Sequence, residues 1–581
     1  MTRTPLLLLL VCAAAAIFSR AAVTTIELTG TIAVSNTMRF GVNLGGDTYY
    51  SGTSYMNTRD YVNFEGTTYR QCHRGTLFND GFATEQVSTN NIVRYGWSQT
   101  LLSGQYTILS GPFAGTTGTI VAISNRFIRL YSAVSNTQPL YVFSDPITLP
   151  GNPIEDAGLM VEAMNLHEGN IQRNPTYWLT TNNCFLQQGD VPPSSFGQTA
   201  CRMNGSSGDA IMRMATSYQR FADNNGVWTS SFWARKVSGA PTVRVAIESS
   251  SYGGSVTITP STNWQRYQVQ LTISGVPDGS GHPLFKYTVQ GGAVLIDDCE
   301  VWKTGKQNPT AFRDDLVALL QDYRPGILRN LQMGGSTVIN SIMPPLRAHS
   351  YMNSAWATTG PNMSRSLEKY GAHELYELCD YLGAEPWFCL PGTLAAHEIT
   401  QFMEYLGAPT NVGLGALRAE LGRVEPWTKT LGRIHVEFGN EAWNEALGFL
   451  VGGYNGPDYW SNLIATAKLS PYYTNSILFH AAGQNFANSM ARTILRDTKN
   501  ADRYAIAPYI LQDLTLTDTG YNDTTEKLFQ WLFAYPMMTT FSNGMPAQYV
   551  VMTNTGVEYS IYEMNHHTTG GDAVLLPTIN M

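Results

Sequence analysis

The sequence predicts a (β/α)8 barrel carrying an inserted all-β sandwich, an α/β chain overall. Three observations predict it. From about residue 308 onward, short apolar runs alternate with amphipathic stretches. Ahead of that point, roughly 85–303 is rich in Thr, Ser and Gly, with apolar residues at alternate positions. A single strand-like run, Phe40–Leu44, stands far upstream of the other barrel strands and ends in Gly45-Gly46.

The elements follow in order. Gly118–Ile123 is an alternating run with turns around it, and Trp228–Arg235, Thr242–Ile247, Trp264–Leu271 and Gly292–Asp298 are short runs at the spacing of sandwich strands. Asn308-Pro309-Thr310 leads into helical spacing over Ala311–Tyr323. Strands are then expected at Gly326–Met333, Glu385–Leu390, Arg433–Phe438, Ser476–Ala481, Arg503–Pro508 and Val557–Tyr562. Helices fit at Ala372–Leu382, Ala395–Leu406, Ala416–Leu421, Gln484–Asp497 and Thr524–Phe533. Repeated βα units mean a parallel sheet, and so many in one run favour a barrel. The expected divisions are 1–22 as a signal peptide, 23–70 with the first barrel strand, 71–150 as a β-rich insertion, 151–304 as the sandwich and 305–581 as the barrel. If Phe40–Leu44 is strand one, Val557–Tyr562 is strand seven. The 18 residues after Glu563 are too few for an eighth unit. On that count the sequence is expected to be a fragment with its C-terminal end truncated.

Bulk properties narrow the class. A chain of 581 residues exceeds one ordinary domain of roughly 100–200 residues. Its 43% hydrophobic and 14% charged residues allow a large core under a polar, lightly charged surface. A formal charge of −8 argues against a nucleic-acid partner, which calls for a basic surface. Met1-Thr2-Arg3-Thr4, the apolar run Pro5–Phe18 and Ser19-Arg20-Ala21-Ala22 have the form of a secretory signal, so the mature chain is expected to be exported, with no membrane attachment after cleavage. Export permits disulfides, and Cys184 with Cys201 would close a short loop; Cys379 and Cys389 sit in apolar surroundings. No CxxC spacing and no GxGxxG or P-loop is present, and His566-His567 has no further ligand at useful spacing. No metal and no cofactor are expected.

The most informative stretch is Glu437-Phe438-Gly439-Asn440-Glu441-Ala442-Trp443-Asn444, which ends one strand with Asn-Glu, while Glu563 ends another. Barrel enzymes carry their chemistry at the C-terminal ends of strands. Two carboxyls so placed are the parts of a retaining glycosidase: one protonates the leaving oxygen, the other attacks the anomeric carbon. Glu437, inside the strand, and Glu445, one turn into a helix, fit a second catalytic position poorly. Trp228, Trp233 and Trp264 read as sandwich core, Trp356 as a sugar-stacking face, and Trp387 as either core or a sugar-stacking face.

A fourth-strand Asn-Glu with a seventh-strand Glu resembles the clan A glycoside hydrolases. Asn63-Phe64-Glu65-Gly66-Thr67-Thr68-Tyr69-Arg70 and the interrupted first strand look most like the family 51 α-L-arabinofuranosidases. The resemblance covers 326–581 and 40–46. Separately, 150–303 looks like a jelly-roll carbohydrate-binding module, on its Trp-Gln-Arg-Tyr and Ile-Asp-Asp-Cys-Glu-Val-Trp runs. The resemblance implies Glu441 as general acid/base, Glu563 as nucleophile and Asn440 as the partner of a sugar 2-hydroxyl. It places Tyr509 beside the nucleophile and Trp443 against the sugar. The implied partner is a polysaccharide or oligosaccharide substrate. An endo-β-glycanase of the same clan and a non-catalytic carbohydrate-binding protein remain as alternatives.

Overall fold

The computed structural model describes residues 40–44, 59–62 and 64; strand backbones at 67–73, 105–108, 117–123, 128–132, 135–141, 159–165 and 169–170; and 178–571 apart from 194, 196, 215–224, 249–252, 276–283, 331–336, 344–350, 353–369, 393, 442, 444–456, 484–487, 509–510, 515–548, 551, 553–554 and 565. The expected signal peptide, the helix at Thr524–Phe533 and Tyr509 lie outside the described residues.

Seven parallel strands form one sheet: β1 (Val42–Leu44), β2 (Ile327–Asn330), β3 (Glu385–Leu390), β4 (Ile434–Phe438), β5 (Ile477–Ala482), β6 (Arg503–Ile506) and β7 (Glu558–Ile561). Their spatial order is their chain order, and every pairing is parallel. A doubly wound sheet reverses direction at a switch point, whereas a barrel winds one way throughout. The sheet is therefore the singly wound, curled half-barrel of an α/β chain. Among the described residues, β1 and β7 are its two outer strands.

The helices are α1 (Asp314–Tyr323), α2 (Val338–Ile342), α3 (Ala372–Leu382), α4 (Ala396–Gly407), α5 (Gly413–Glu420), α6 (Trp427–Thr430), α7 (Pro457–Lys468) and α8 (Asn488–Asp497). Their ends are fixed locally. Glu374 accepts from the Gly371 amide at the start of α3, and Gly383, at φ 67°, closes its end. Glu398 accepts from the amides of Ala395 and Val338, so one carboxylate caps both α4 and α2. Helix α7 was not anticipated, although Pro457 occupies a favoured first-turn position and Trp460, Leu463, Ile464 and Ala467 follow at helical spacing.

Period-two alternation divides each barrel strand between two environments. Leu328, Phe388, Ile434, Val436, Phe438, Ile477 and Phe479 are buried on one face or its margin. On that face Phe438 stacks on Trp460 of α7 at 6.4 Å, and Tyr376 of α3 meets Phe388 edge-on at 6.4 Å. The alternate residues, Arg329, Trp387, Cys389, His435, Glu437 and His480, contact one another on the other face. A barrel wall with polar and ionisable groups buried on its inner side thus positions the site.

In sequence, β1 and β2 are separated by antiparallel structure. A ten-stranded sheet is built around Gly226–Glu248, Gln265–Ile273 and Leu284–Lys303. The runs expected as separate strands at Trp228–Arg235 and Thr242–Ile247 are one irregular strand, with register shifts between Lys236 and Ser238 and between Gly239 and Thr242. Gly239, at φ 72°, passes so close to Gly291 that a Cβ there would lie 2.6 Å from its carbonyl oxygen. Arg59–Val62 adds to this sheet beside Leu284–Lys303. Thr67–His73 instead pairs with Leu159–Asn165, so hydrogen bonding links segments on either side of residues 70 and 150.

Trp228 is core, but Trp233 and Trp264 are only half-buried, and the Trp264 indole donates to Asp190 at 2.9 Å. Cys184 and Cys201 are buried free thiols, not a disulfide. Cys184 lies opposite Met203 and Cys201 opposite Leu186, so the two are diagonal neighbours. Their thiols hydrogen-bond, which lowers the Cys184 thiol below its ordinary value, while burial raises that of Cys201. Cys379 and Cys389 are also buried and free.

Ile434 is fully buried on the helix-facing side of β4, whereas Leu469 is 86% exposed. Ile434→Ala should lower the unfolding free energy in urea by about 2–5 kcal/mol, while Leu469→Ala should leave the urea midpoint nearly unchanged.

Candidate active site

The site is built from the inner face upward. Glu437, fully buried on β4, gathers side-chain donors from the two preceding strands, β2 and β3. Arg329 of β2 donates to its Oε2 through Nε at 3.1 Å and Nη2 at 2.9 Å. Trp387 of β3 donates to the same oxygen through its indole at 2.9 Å, and the Cys389 thiol lies 3.7 Å away. A buried carboxylate persists only when paired and hydrogen-bonded, and these contacts supply both. Glu437 is therefore a structural anchor, in keeping with its poor fit to a catalytic role.

Arg329 reaches further. Its Nη2 donates to Asn440 Oδ1 at 2.8 Å, and its Nη1 lies 3.5 Å from Asn43 Oδ1 on β1. The guanidinium sits 4.9 Å from the Tyr562 ring centroid and 5.7 Å from that of Trp387. Arg329 thus fixes Asn440, a candidate substrate partner, through its side-chain oxygen.

Beyond β4 the chain turns sharply. Gly439 has φ 70° and Glu441 has φ 50°. A left-handed glutamate is strained by about 1–2 kcal/mol. The Glu441 amide donates to Glu437 Oε1 at 3.3 Å, and the Gly439 amide to the Leu390 carbonyl at 2.5 Å, so the anchor also holds the strained turn. The Glu441 side chain is half-buried, and its Oε1 accepts from the Tyr562 phenol at 3.1 Å. Trp443, half-buried, donates its indole to that phenol oxygen at 3.1 Å.

Glu441 and Trp443 therefore meet at the phenol of Tyr562, which sequence reasoning had left as a strand end, and Asn440 is linked to that ring through Arg329. Arg329 was missed as well. Its signal was a charged residue inside an apolar strand, a position that burial allows only with a partner. Glu563 lies two residues beyond β7 along the chain and is half-buried. It belongs to a second compact unit, with residues 508–547 and 563–581, in which Leu511–Leu514 and His566–Gly571 pair in parallel. Trp387 is 2% exposed and serves the core rather than a sugar face. Among the described residues, no three His, Cys, Asp or Glu side chains are grouped as metal ligands.

Below the anchor runs a second polar line. His435 Nε2 lies 3.0 Å from Glu385 Oε2, His435 Nδ1 lies 2.9 Å from His480 Nε2, and His480 Nδ1 lies 3.1 Å from Ser560 Oγ. Trp387 stacks on His435 at 5.5 Å. Burial pushes the His435 imidazole below its ordinary value, with the Glu385 hydrogen bond opposing. Burial, then the neighbouring His435, pushes His480 well below. Burial raises the Glu385 carboxyl, but the His435 hydrogen bond and nearby cationic charge more than offset this, and it sits below the ordinary value.

Two predictions follow from this network. Arg329→Leu strands the buried Glu437 charge and should cost about 3–5 kcal/mol of stability; in urea melts, Arg329→Leu with Glu437→Gln should be less destabilised than the two single losses added together. For His435 and His480 the folded-state pKa is below the unfolded one, so their neutral forms contribute stability above about pH 6.5, lost as pH falls. The melting temperature should decline on acidification from pH 7 to pH 5, and His480→Gln should flatten that decline.

No family model matches the chain. By sequence it is 25% identical over 325 residues to an Aspergillus niger protein named "Probable alpha-L-arabinofuranosidase A", covering 50% of this chain and 49% of that one. It is 28% identical over 163 residues to an intracellular exo-alpha-L-arabinofuranosidase of Bacteroides ovatus, covering 27% and 28%. In structure it is similar to a family 51 α-L-arabinofuranosidase of Bifidobacterium longum, with 17% identity, TM-score 0.32 and 44% and 51% of the chains covered. The chain spans about half the length of the A. niger relative. By sequence, its similarity is to α-L-arabinofuranosidases.

Proposed function

We propose that the chain is a retaining glycoside hydrolase acting on α-L-arabinofuranosyl linkages, with Glu441 as general acid/base and Glu563 as nucleophile. The observation that carries the reading is the turn after β4, where a strained Glu441 and its neighbour Asn440 are held by one buried Arg329–Glu437 pair. Strain at a strand end, stabilised by the surrounding structure, is the mark of a functional position. The sequence similarity to α-L-arabinofuranosidases supplies the substrate class. In this reading the parallel sheet belongs to a (β/α)8 barrel, residues 151–304 form a carbohydrate-binding module inserted after strand one, and the mature protein is secreted.

In the first half-reaction Glu441 gives its proton to the leaving oxygen as Glu563 bonds to the anomeric carbon. In the second, Glu441 takes a proton from water, and that water displaces Glu563 with a second inversion, so configuration is retained. Asn440, oriented by Arg329, offers its amide N–H group to a sugar hydroxyl. Trp443 provides an aromatic face at the rim.

The test is a panel of aryl glycosides: α-L-arabinofuranoside, β-glucoside, β-xyloside and cellobioside. Hydrolysis of the arabinofuranoside is expected, with Glu441→Gln slower by about 10²–10⁴-fold on poor leaving groups. Glu563→Ala should be inactive and partly rescued by azide, giving a glycosyl azide. Turnover of only the β-glycosides would overturn the substrate assignment in favour of an endo-β-glycanase. Retention of polysaccharide with no turnover of any glycoside would leave a carbohydrate-binding protein.

A further inference from the structure

We propose that one outward face of the sandwich binds a neutral polysaccharide chain, with Trp264, Trp233 and Phe185 as the surfaces on which its sugar rings lie. The inference rests on reading residues 151–304 as a carbohydrate-binding module and adds which face, which side chains and what charge of ligand.

Strand register identifies the face. Directly opposed residues of an antiparallel pair stand on the same side of the sheet. Phe185 is opposite Arg202, Arg202 opposite Leu295, and Leu295 opposite Arg235, so these four make one row across the strands. Cys201, opposite Leu186 and Ile296, is on the other side, with the buried core. Trp233, two residues before Arg235, lies opposite Arg266 and Asp297 and shares the outward face. It was expected in the core, but Phe232 and Ala234 beside it take that side.

Asp190 brings in Trp264. One of its oxygens accepts from the Trp264 indole at 2.9 Å and from Arg235 Nε at 2.9 Å, and the other accepts from Arg235 Nη2. The indole N–H is thereby used, so the ring offers a ligand its π face. A side chain already held in this way loses little freedom on binding. Phe185 is 39% exposed, and Trp233 and Trp264 are half-buried, so all three rings keep open surface.

Extent and charge set the ligand class. From Cys184–Gln188 to Gln265–Ile273 the face crosses five neighbouring strands, which is about 19 Å. That length suits an extended chain better than one small molecule. Arg202, Arg235 and Arg266 share the face with Asp190, Asp297 and Glu300, so the formal charges cancel. Donors and acceptors beside aromatic rings match a sugar's hydroxyls and its apolar ring face. The second sheet of the sandwich differs: its outward row holds Arg213, Arg244, Lys286 and Thr288, with no aromatic ring among the described residues.

The experiment is affinity electrophoresis of the full chain in gels containing soluble neutral arabinoxylan, with polygalacturonate gels as the acidic comparison. All proteins carry Glu441→Gln so that no polymer is cut during the run. Retardation by arabinoxylan and not by polygalacturonate is expected. Trp264→Ala should raise the Kd for arabinoxylan about tenfold to thirtyfold. Phe185→Ala, at an exposed position, should weaken binding in the same direction and decides the matter if Trp264→Ala does not fold. Arg213→Ala, on the second sheet, should bind as the parent does. Parental retardation of both aromatic variants would overturn this face and leave the module reading to another surface. Retardation by polygalacturonate alone would overturn the neutral ligand. A parent retarded by neither polymer would sink the module reading, and this inference with it.

Discussion

The buried pair of Arg329 and Glu437 is the interaction on which the upper part of the barrel depends. Charges out of water are expensive, and a hydrophobic pair of equal volume would hold strands β2 and β4 together at least as well. What that pair could not do is orient polar groups. Through one carboxylate and one guanidinium, the structure ties together Asn43, Trp387, Cys389, Asn440 and the amide of Glu441. Both ions have several partners, so neither can move without leaving others unsatisfied. Rigidity of this kind suits a site whose groups must stay aligned while charge develops between them.

The same arrangement explains why the sheet has such different faces. The helix-facing residues are close-packed hydrocarbon and need only complementary shape. The inner residues are largely ionisable and aromatic, and they are satisfied by neighbours one or two strands away. The parallel register makes this work: Arg329 is level with Trp387, and Trp387 with His435, so long side chains from successive strands reach the same height. A shift of one residue would turn this whole polar set towards the helices.

Much of this was legible in the sequence, for a physical reason. Buried parallel strands are short runs of apolar residues, and β3, β4 and β5 stood where such runs predicted. The Asn440–Glu441 turn was legible as a strand end because the short buried run Leu431–Val436 leads into it, although Asn-Glu after a strand is by itself common. Helix α7 was obscured by Gly-Pro ahead of it, which reads as a loop although proline also starts helices. The long strand Gly226–Glu248 was read as two because bulges interrupt its alternation. Tyr562 and Arg329 were hidden for another reason: their roles depend on partners 121 and 108 residues away in the chain, and no local pattern reveals such pairings.

The line from Glu385 to Ser560 carries a direction. An ionised Glu385 can only accept, so His435 must present its hydrogen from Nε2, and its Nδ1 is then bare. His480 must donate into that nitrogen from its own Nε2, which leaves its Nδ1 bare beside the Ser560 hydroxyl, whose one hydrogen also faces the Tyr504 carbonyl at 3.3 Å. Both ring hydrogens therefore point the same way, from β5 towards β3, and the tautomers of both rings are fixed by one carboxylate. The line works as a row of dominoes: turning either ring over would set two donors or two acceptors face to face. The interior of this half-barrel is thus ordered in its protons as well as in its heavy atoms.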